Sequence, residues 1–207
     1  MLVSMRREYT AKINWILDNL LPPILRDSYF FMNPFFWFLF KEKRKYFMRF
    51  KEMSSEMTED QYLELYKLLR EKHIKRDTDL NDCCITKIIE CIVGIKVLDI
   101  ACGRGFLTNI ISEKTNCQVT GIDIEPPFSK NNNSRLHFQR GTVEKINYDD
   151  KFFDTVICAH TLEHVQNMDI AIKELRRVAK KRLILVVPRQ REYKYTFDLH
   201  LNFFPYA

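Results

Sequence analysis

Two glycines and an aspartate are the residues of this chain whose types and spacing predict ligand binding. Gly103 and Gly105 lie in VLDIACGRG, where an apolar run of strand type meets the start of a helix. Because glycine has no side chain, such a turn can bring backbone N–H groups close to a ligand. Asp123 ends the next apolar run, in GIDIE, where a carboxylate can accept hydrogen bonds from ribose hydroxyls. The adjacent Ile124 offers an apolar surface to a purine, so the pattern predicts a ligand that contains a nucleoside.

Other chemistries would leave other signatures in the sequence. A P-loop requires a GK[ST] tripeptide, which the chain lacks, and a dehydrogenase turn requires a third glycine. The histidines and cysteines show no HExxH or CxxC spacing, so no metal site is predicted. The six cysteines, with no secretory signal before them, predict reduced thiols in a cytoplasmic protein.

Composition excludes several further classes of protein. Of the 207 residues, 46% are hydrophobic and 29% are charged, which excludes a disordered chain and a disulfide-stapled mini-protein. The net charge of +6 is mild and does not indicate a protein that coats nucleic acid. No apolar run reaches the roughly 18 residues that a membrane-spanning helix requires.

The glycine turn and Asp123 require a sheet to position them. Five runs of strand length alternate with helical or polar stretches: IKVLDIA, CQVTGID, LHFQR, FDTVICA and RLILVV. This order predicts an α/β fold, a mostly parallel sheet with helices on both faces, in which ligands bind at the carboxyl ends of the strands. All glycines lie after residue 93, and the part before them has helical patterns. We therefore expect an N-terminal helical cap over residues 1–93 and a ligand-binding core over residues 94–207.

Start and stop signals predict four helices in the N-terminal part. Asn33 followed by Pro34 resembles an N-cap, which predicts a helix that runs to about Lys51. Thr58 with Gln61 three residues later resembles a capping box that opens the next helix. The other two helices are expected over about 5–21 and about 81–93.

Four segments together resemble the class I S-adenosylmethionine-dependent methyltransferases that modify small molecules, of the type 11 kind. They are VLDIACGRG, GIDIE, QRGTVEKINYDDKFFDTVICAHTLEHV and AIKELRRVAKKRLILVVP, and they cover about Ile95 to Pro188. The resemblance implies a Rossmann-like fold, transferase activity and S-adenosylmethionine as cofactor. It assigns the methionine part of the cofactor to Asp99, Ala101, Cys102, Gly103 and Gly105. It assigns ribose to Asp123, adenine to Ile124, Thr142 and Val143, and the methionine and acceptor side to His160.

The chain departs from the family pattern at four places. Ala101 replaces the usual first glycine, and Thr142 replaces an acidic residue, so a hydroxyl must take over a hydrogen bond to adenine. The connection PPFSKNNNSR is too short for a normal crossover helix. The chain is also short after Pro188, which predicts that the family's C-terminal antiparallel strands are missing or incomplete. A homodimer or a covering N-terminal helix would then protect the sheet edge.

Methyl transfer from a sulfonium is an in-line displacement, which requires alignment and exclusion of water. A base is needed when the acceptor must lose a proton, and His160 and His164 are the catalytic candidates, with His200 behind them. The alternative is that Glu163 and His164 brace a helix formed by LEHV. AHTL lacks the NPPY-like sequence of many amino-methylating DNA enzymes, which argues against a nucleic-acid acceptor. A protein that binds the cofactor without catalysis, with a regulatory or scaffold role, is the second hypothesis.

Eleven aromatic residues lie between Tyr29 and Phe50, and the basic sequence KEKRK lies among them. One hypothesis is the buried face of a helix that packs over the sheet and closes the acceptor site. The other is an interfacial helix, in which Tyr29–Lys51 makes peripheral contact with an anionic membrane. A polar small-molecule acceptor fits the first hypothesis, and a lipid-linked acceptor fits the second.

Overall fold

The computed structural model describes residues 15–17, 19–70, 78–127, 134–196 and 198–206. Their contacts divide them into two compact units. The helical unit contains the described residues before 71 and from 188 onward, and the sheet unit contains residues 78–187. This division differs from the expected boundary at residue 94, because the C-terminal segment groups with the N-terminal helices.

The sheet unit is built on five parallel strands: β1 (Lys96–Ile100), β2 (Gln118–Asp123), β3 (Leu136–Arg140), β4 (Phe153–Ala159) and β5 (Ala179–Val186). Their order in the sheet is β3-β2-β1-β4-β5, so the strand order reverses beside β1. Among the described residues no antiparallel strand joins this sheet. The predicted Rossmann-like α/β fold, with a mostly parallel sheet and helices, is confirmed.

Three helices accompany the sheet: α6 (Asp82–Glu90), α7 (Phe106–Lys114) and α8 (Met168–Val178). Side chains of α6 and α7, among them Ile88 and Ile111, form one core with Val97, Val119 and Ile157 of the strands. Since side chains alternate along a strand, Leu98 and Ile100 face the other side of the sheet. The helix α8 packs on β4 and β5 and buries Ala171, Leu175 and Val178. Residues 128–133 of the connection between β2 and β3 lie outside the described residues, so the expectation that it has no normal crossover helix stays a prediction.

Among the described residues from 23 to 70, the helical unit contains α1 (Pro23–Arg26), α2 (Tyr29–Phe40), a 3-10 turn (Lys41–Lys43), α3 (Arg44–Met48), α4 (Phe50–Glu56) and α5 (Glu59–Arg70). The predicted start at Asn33 is wrong: α2 begins after Ser28, whose hydroxyl accepts a hydrogen bond from the Phe31 N–H, and Pro34 lies inside the helix. A positive φ of 47° at Lys41 ends α2, so the predicted single helix to Lys51 is broken into pieces. The Thr58–Gln61 capping box is confirmed by both of its hydrogen bonds.

One apolar cluster holds the helical unit together. Met32, Phe36 and Phe40 point into it from α2, and Phe40 stacks on Phe47 with ring centroids 3.9 Å apart. The C-terminal segment contributes to the same core through Tyr195 and Leu199. Of the helix predicted over about 5–21, residues 5–14 and 18 lie outside the described residues. Among the described residues, no helix combines the length and hydropathy needed to cross a bilayer.

Candidate functional site

The turn after β1 has the left-handed backbone that its glycines predicted. Gly103 and Gly105 have φ angles of 57° and 76°, and Gly105 is the residue before α7. Ala101 has a φ of 57°, a conformation that glycine adopts at lower cost. The Gly105 N–H donates to the Cys102 carbonyl at 2.9 Å, and the Cys102 N–H donates to the Ile122 carbonyl at 3.0 Å. The second of these hydrogen bonds joins the turn to the end of β2.

Phe138 of β3 lies against two of the glycines. A Cβ atom on Gly105 would lie 2.6 Å from Phe138 Cζ, and one on Gly121 would lie 2.7 Å from the same ring. Real Cβ atoms do not approach other atoms so closely, so both positions require glycine because of this ring. Sequence reasoning did not single out Phe138, because an aromatic residue in a strand is ordinary.

Asp123 is buried and joins the end of β2 to the glycine turn. Its Oδ2 accepts from the Gly103 N–H at 2.8 Å, and its Oδ1 accepts from the Glu125 N–H at 2.9 Å. A carboxylate oxygen has two acceptor positions, so each can accept a further hydrogen bond from a hydroxyl. The predicted partners, Gly103 and Asp123, are therefore in direct contact.

Asp99 lies buried on β1, and its Oδ2 accepts a hydrogen bond of 2.6 Å from the Thr108 hydroxyl of α7. Burial raises the pKa of Asp99 to about 7, and the charge of Asp123 also raises it. A carboxylate in this setting is stabilised by a positive charge. S-adenosylmethionine carries an ammonium and a sulfonium, so Asp99 fits such a ligand. Thr108, one helical turn into α7, was not among the predicted residues.

The two cysteines nearest the site are neutral thiols. Burial, together with the charges of Asp99 and Asp123, holds the pKa of Cys102 well above its usual range. Burial raises the pKa of Cys158, on β4, to about 12. Thiolates are the nucleophilic and metal-binding form, so neither side chain is suited to those roles at neutral pH.

The residues expected to meet adenine follow β2 and β3 at the same edge. Ile124 and Thr142 are partly exposed, and Val143 is buried. The Gly141 N–H donates to the Asp123 carbonyl at 3.0 Å, which joins the two strand ends. Thr142 forms an isolated antiparallel bridge with Lys145.

His160 follows β4 with a positive φ of 50°, and its N–H donates to the Val186 carbonyl at 2.8 Å. Its Nδ1 lies 3.2 Å from Oε1 of Glu163, a carboxylate that is 1% exposed. The other oxygen, Oε2, is buried and has no hydrogen-bond partner in the part of the chain that the structure describes. When Glu163 is ionised, Nδ1 donates this hydrogen bond and Nε2 is left as an acceptor.

The segment LEHV, which was expected to be helical, forms one 3-10 turn, Leu162–His164. His164 ends this turn, and its N–H donates to the Thr161 carbonyl at 2.9 Å. Glu163 was predicted only as a brace, although its spacing of three residues from His160 is the signal that could have paired them.

The segment that builds this site matches a known family. Residues 98–187 match the family described as a methyltransferase domain. This match agrees with the resemblance to class I S-adenosylmethionine-dependent methyltransferases. S-adenosylmethionine is the cofactor of this domain, as the resemblance implied.

Curated relatives match up to half of the chain. The ubiquinone biosynthesis O-methyltransferase of Rickettsia bellii is 26% identical over 110 residues, which are 50% of this chain and 45% of that protein. The ubiquinone/menaquinone biosynthesis C-methyltransferase of Burkholderia multivorans is 36% identical over 97 residues, 42% of this chain and 40% of that protein. The chain thus spans less than half the length of these relatives. The crystal structure of the YcgJ protein of Bacillus subtilis aligns with a TM-score of 0.42 and 25% identity, over 49% of this chain and 48% of that one.

Proposed function

We propose that this protein binds S-adenosylmethionine at the carboxyl edge of its sheet and transfers the methyl group to a small-molecule acceptor. The observation that carries the proposal is the contact between the glycine turn and the Asp123 carboxylate, beside the buried Asp99. A turn that exposes backbone N–H groups, a hydroxyl acceptor and a buried anion together suit a cationic ligand that contains ribose.

Each part of the site has a role in holding the cofactor. The turn from Ala101 to Gly105, including Cys102, would face the methionine part, with Asp99 supplying negative charge beneath it. Asp123 would accept hydrogen bonds from the ribose hydroxyls. Ile124 and Val143 would pack on adenine, and the Thr142 hydroxyl would meet its edge.

When bound, S-adenosylmethionine supplies an electrophilic methyl group on a sulfonium centre. The protein aligns the acceptor with it and keeps water away. His160 takes the proton of a hydroxyl acceptor through Nε2, while Glu163 holds the ring by Nδ1 and stabilises the charged imidazole that results. His164, at the end of the same turn, is the second candidate for this role.

The relatives support an acceptor that is a small molecule. Their names include O-methyltransferases and a C-methyltransferase that act in quinone biosynthesis and an N-methyltransferase from Eschscholzia californica, so they do not single out the methylated atom. A lipid-linked acceptor is one member of this class. The non-catalytic hypothesis is not favoured, because these relatives are named as methyltransferases.

Cofactor binding is tested by a thermal shift with S-adenosylhomocysteine. Ligand at about 100 times its dissociation constant should stabilise the folded protein by roughly 2.7 kcal/mol, which raises the Tm by a few degrees. Asp123→Ala should remove most of this shift, since the loss of the ribose acceptor costs on the order of 1–3 kcal/mol. Asp149→Ala removes an exposed carboxylate of the same unit and should keep the full shift. Absence of a shift in the wild type at saturating ligand would reject the proposal.

Activity is tested with methyl-labelled cofactor and a cell extract, followed by partition of the products between organic and aqueous phases. Label in the organic phase identifies a lipid-linked acceptor, and label in the aqueous phase identifies a polar one. If His160 is the base, His160→Ala should abolish labelling and keep the thermal shift. Loss of the thermal shift in this variant would instead assign His160 to cofactor binding.

A further inference from the structure

The helix α2 contains twelve residues and no charged side chain, YFFMNPFFWFLF. One face is accounted for, since Met32, Phe36 and Phe40 are buried in the core of the helical unit. The helix is apolar all round, however, and a helix of that kind normally has apolar surroundings on every side. We therefore expect the second face of α2 to have an apolar partner as well.

The second face is a stripe of exposed aromatic side chains. Phe30 is 88% exposed, Phe38 75%, Trp37 55% and Phe31 44%, and the exposed Pro34 lies between them. These positions follow one another at helical spacing, so they form one continuous surface. Single exposed apolar residues are common, whereas a contiguous patch marks a surface that binds something.

Basic residues lie at the C-terminal end of this stripe. The sequence from Lys41 to Lys45 is KEKRK, with four basic residues and one acidic residue. Lys41 and Lys45 are exposed, and they directly follow the helix in the chain. An aromatic stripe that ends in lysines matches an anionic lipid surface, which offers acyl chains to the rings and phosphates to the ammonium groups.

We propose that the exposed face of α2, with Lys41 and Lys45, docks the protein onto an anionic phospholipid membrane. The helix lies in the plane of the interface, because twelve residues span only about 18 Å and the hydrocarbon core is about 30 Å thick. A second copy of the chain is a poorer occupant, because it would bring a second basic cluster to a surface that already has an excess of positive charge.

The first test is co-sedimentation with vesicles of phosphatidylcholine and phosphatidylglycerol, and with vesicles of phosphatidylcholine alone. The wild type should bind the anionic vesicles, and added salt should weaken the binding. The triple variant Phe30→Ser, Trp37→Ser, Phe38→Ser should lower the partition coefficient by about fivefold for each ring, or about a hundredfold in total. Lys41→Glu with Lys45→Glu should remove the preference for anionic lipid.

A matched control replaces three exposed apolar residues at other places. Ile95→Ser, Ile170→Ser, Tyr206→Ser removes side chains that are 61%, 45% and 97% exposed and should leave vesicle binding unchanged. Equal binding by wild type and the α2 triple variant would overturn the proposal. So would a wild-type dimer in sedimentation velocity that ignores vesicles and becomes monomeric in the triple variant, since a second copy would then cover the face.

A second measurement does not depend on the folding of the triple variant. The chain contains two tryptophans, so Trp15→Phe leaves Trp37 as the sole reporter. Its emission should shift to shorter wavelength on anionic vesicles, and lipids with brominated acyl chains should quench it. Unchanged emission on vesicles that co-sediment with the protein would show that another surface binds, and would refute docking through α2.

Discussion

Replacement of the buried Asp99 by asparagine should change how the stability of the protein depends on pH. In the folded protein the pKa of Asp99 is about 7, against an ordinary value of 3.8. The folded state therefore holds a proton that the unfolded state has lost between these values, so stability falls as pH rises through this window. Roughly three pKa units at 1.36 kcal/mol each set an upper limit of about 4 kcal/mol. Asparagine has no charge and keeps an oxygen that accepts from the Thr108 hydroxyl.

The assay is denaturant unfolding of wild type and Asp99→Asn at several pH values. The stability of the variant relative to wild type should increase by about 2–4 kcal/mol between about pH 4 and about pH 8. Any constant cost of the substitution cancels in this comparison, and so do the titrations of groups that do not interact with Asp99. Asp149→Asn, at an exposed position, should give a difference that does not vary with pH. A flat difference for Asp99→Asn would refute the reasoning that burial raises the pKa of this carboxyl.

Three further substitutions test contacts that stabilise the sheet unit. Gly105→Ala should destabilise the protein by about 2 kcal/mol or more, because it strains a left-handed residue and meets the Phe138 ring; an unchanged Tm would contradict this. Arg177→Met should cost about 2–3 kcal/mol in urea unfolding, because two backbone carbonyls and two carboxylates lose their donor; a loss of under half of that would show that water replaces the guanidinium. The hydrogen bond from Lys181 holds the pKa of Asp154 well below its usual range, so its ionised form stabilises the fold above the ordinary pKa and this contribution is lost as pH falls. Asp154→Asn should thus lower stability at neutral pH and lose its effect in acid, and an equal loss at both pH values would argue against the ion pair.

Strands that are buried on both faces could be predicted from the sequence almost to the residue. The segment FDTVICA coincides with β4, because an apolar run of this length between turns is typical of an inner strand in an α/β protein. The segment LHFQR also coincides with a strand, β3, although that strand lies at the sheet edge and is only partly buried. The start of β5 was missed: the predicted segment RLILVV begins at Arg182, whereas the strand begins at Ala179 and includes Lys180 and Lys181. An edge strand tolerates charge that an inner strand excludes, so its polar start resembles a loop.

The predicted helix boundaries are wrong where two local signals compete. Asn33 and Pro34 form a good helix start, yet Ser28 begins α2 earlier and the core contact of Met32 holds that first turn in place. The break at Lys41 could not be predicted from a glycine, because the residue with the positive φ is a lysine. Tertiary packing decides both cases, and it leaves no pattern in the sequence of neighbouring residues.

The site itself was predictable where backbone geometry dictates residue type. Glycine at 103 and 105 and a carboxylate at 123 are constraints that a single sequence displays. Thr108 and Glu163 were not found as partners, because each acts through one contact between side chains, to Asp99 and His160 respectively. A threonine in a helix and a glutamate in a turn are otherwise ordinary.

Because of the Phe138 ring, substitutions at positions 105, 121 and 138 depend on one another, although these positions are far apart in the sequence. Because it occupies the space above Gly105 and Gly121, neither glycine can be replaced by a larger residue unless position 138 becomes smaller first. During evolution, the substitution at position 138 must therefore come before the substitution of either glycine. Among homologues we expect alanine or serine at 121 to occur together with a smaller residue than phenylalanine at 138, a covariation between β2 and β3 that records their contact.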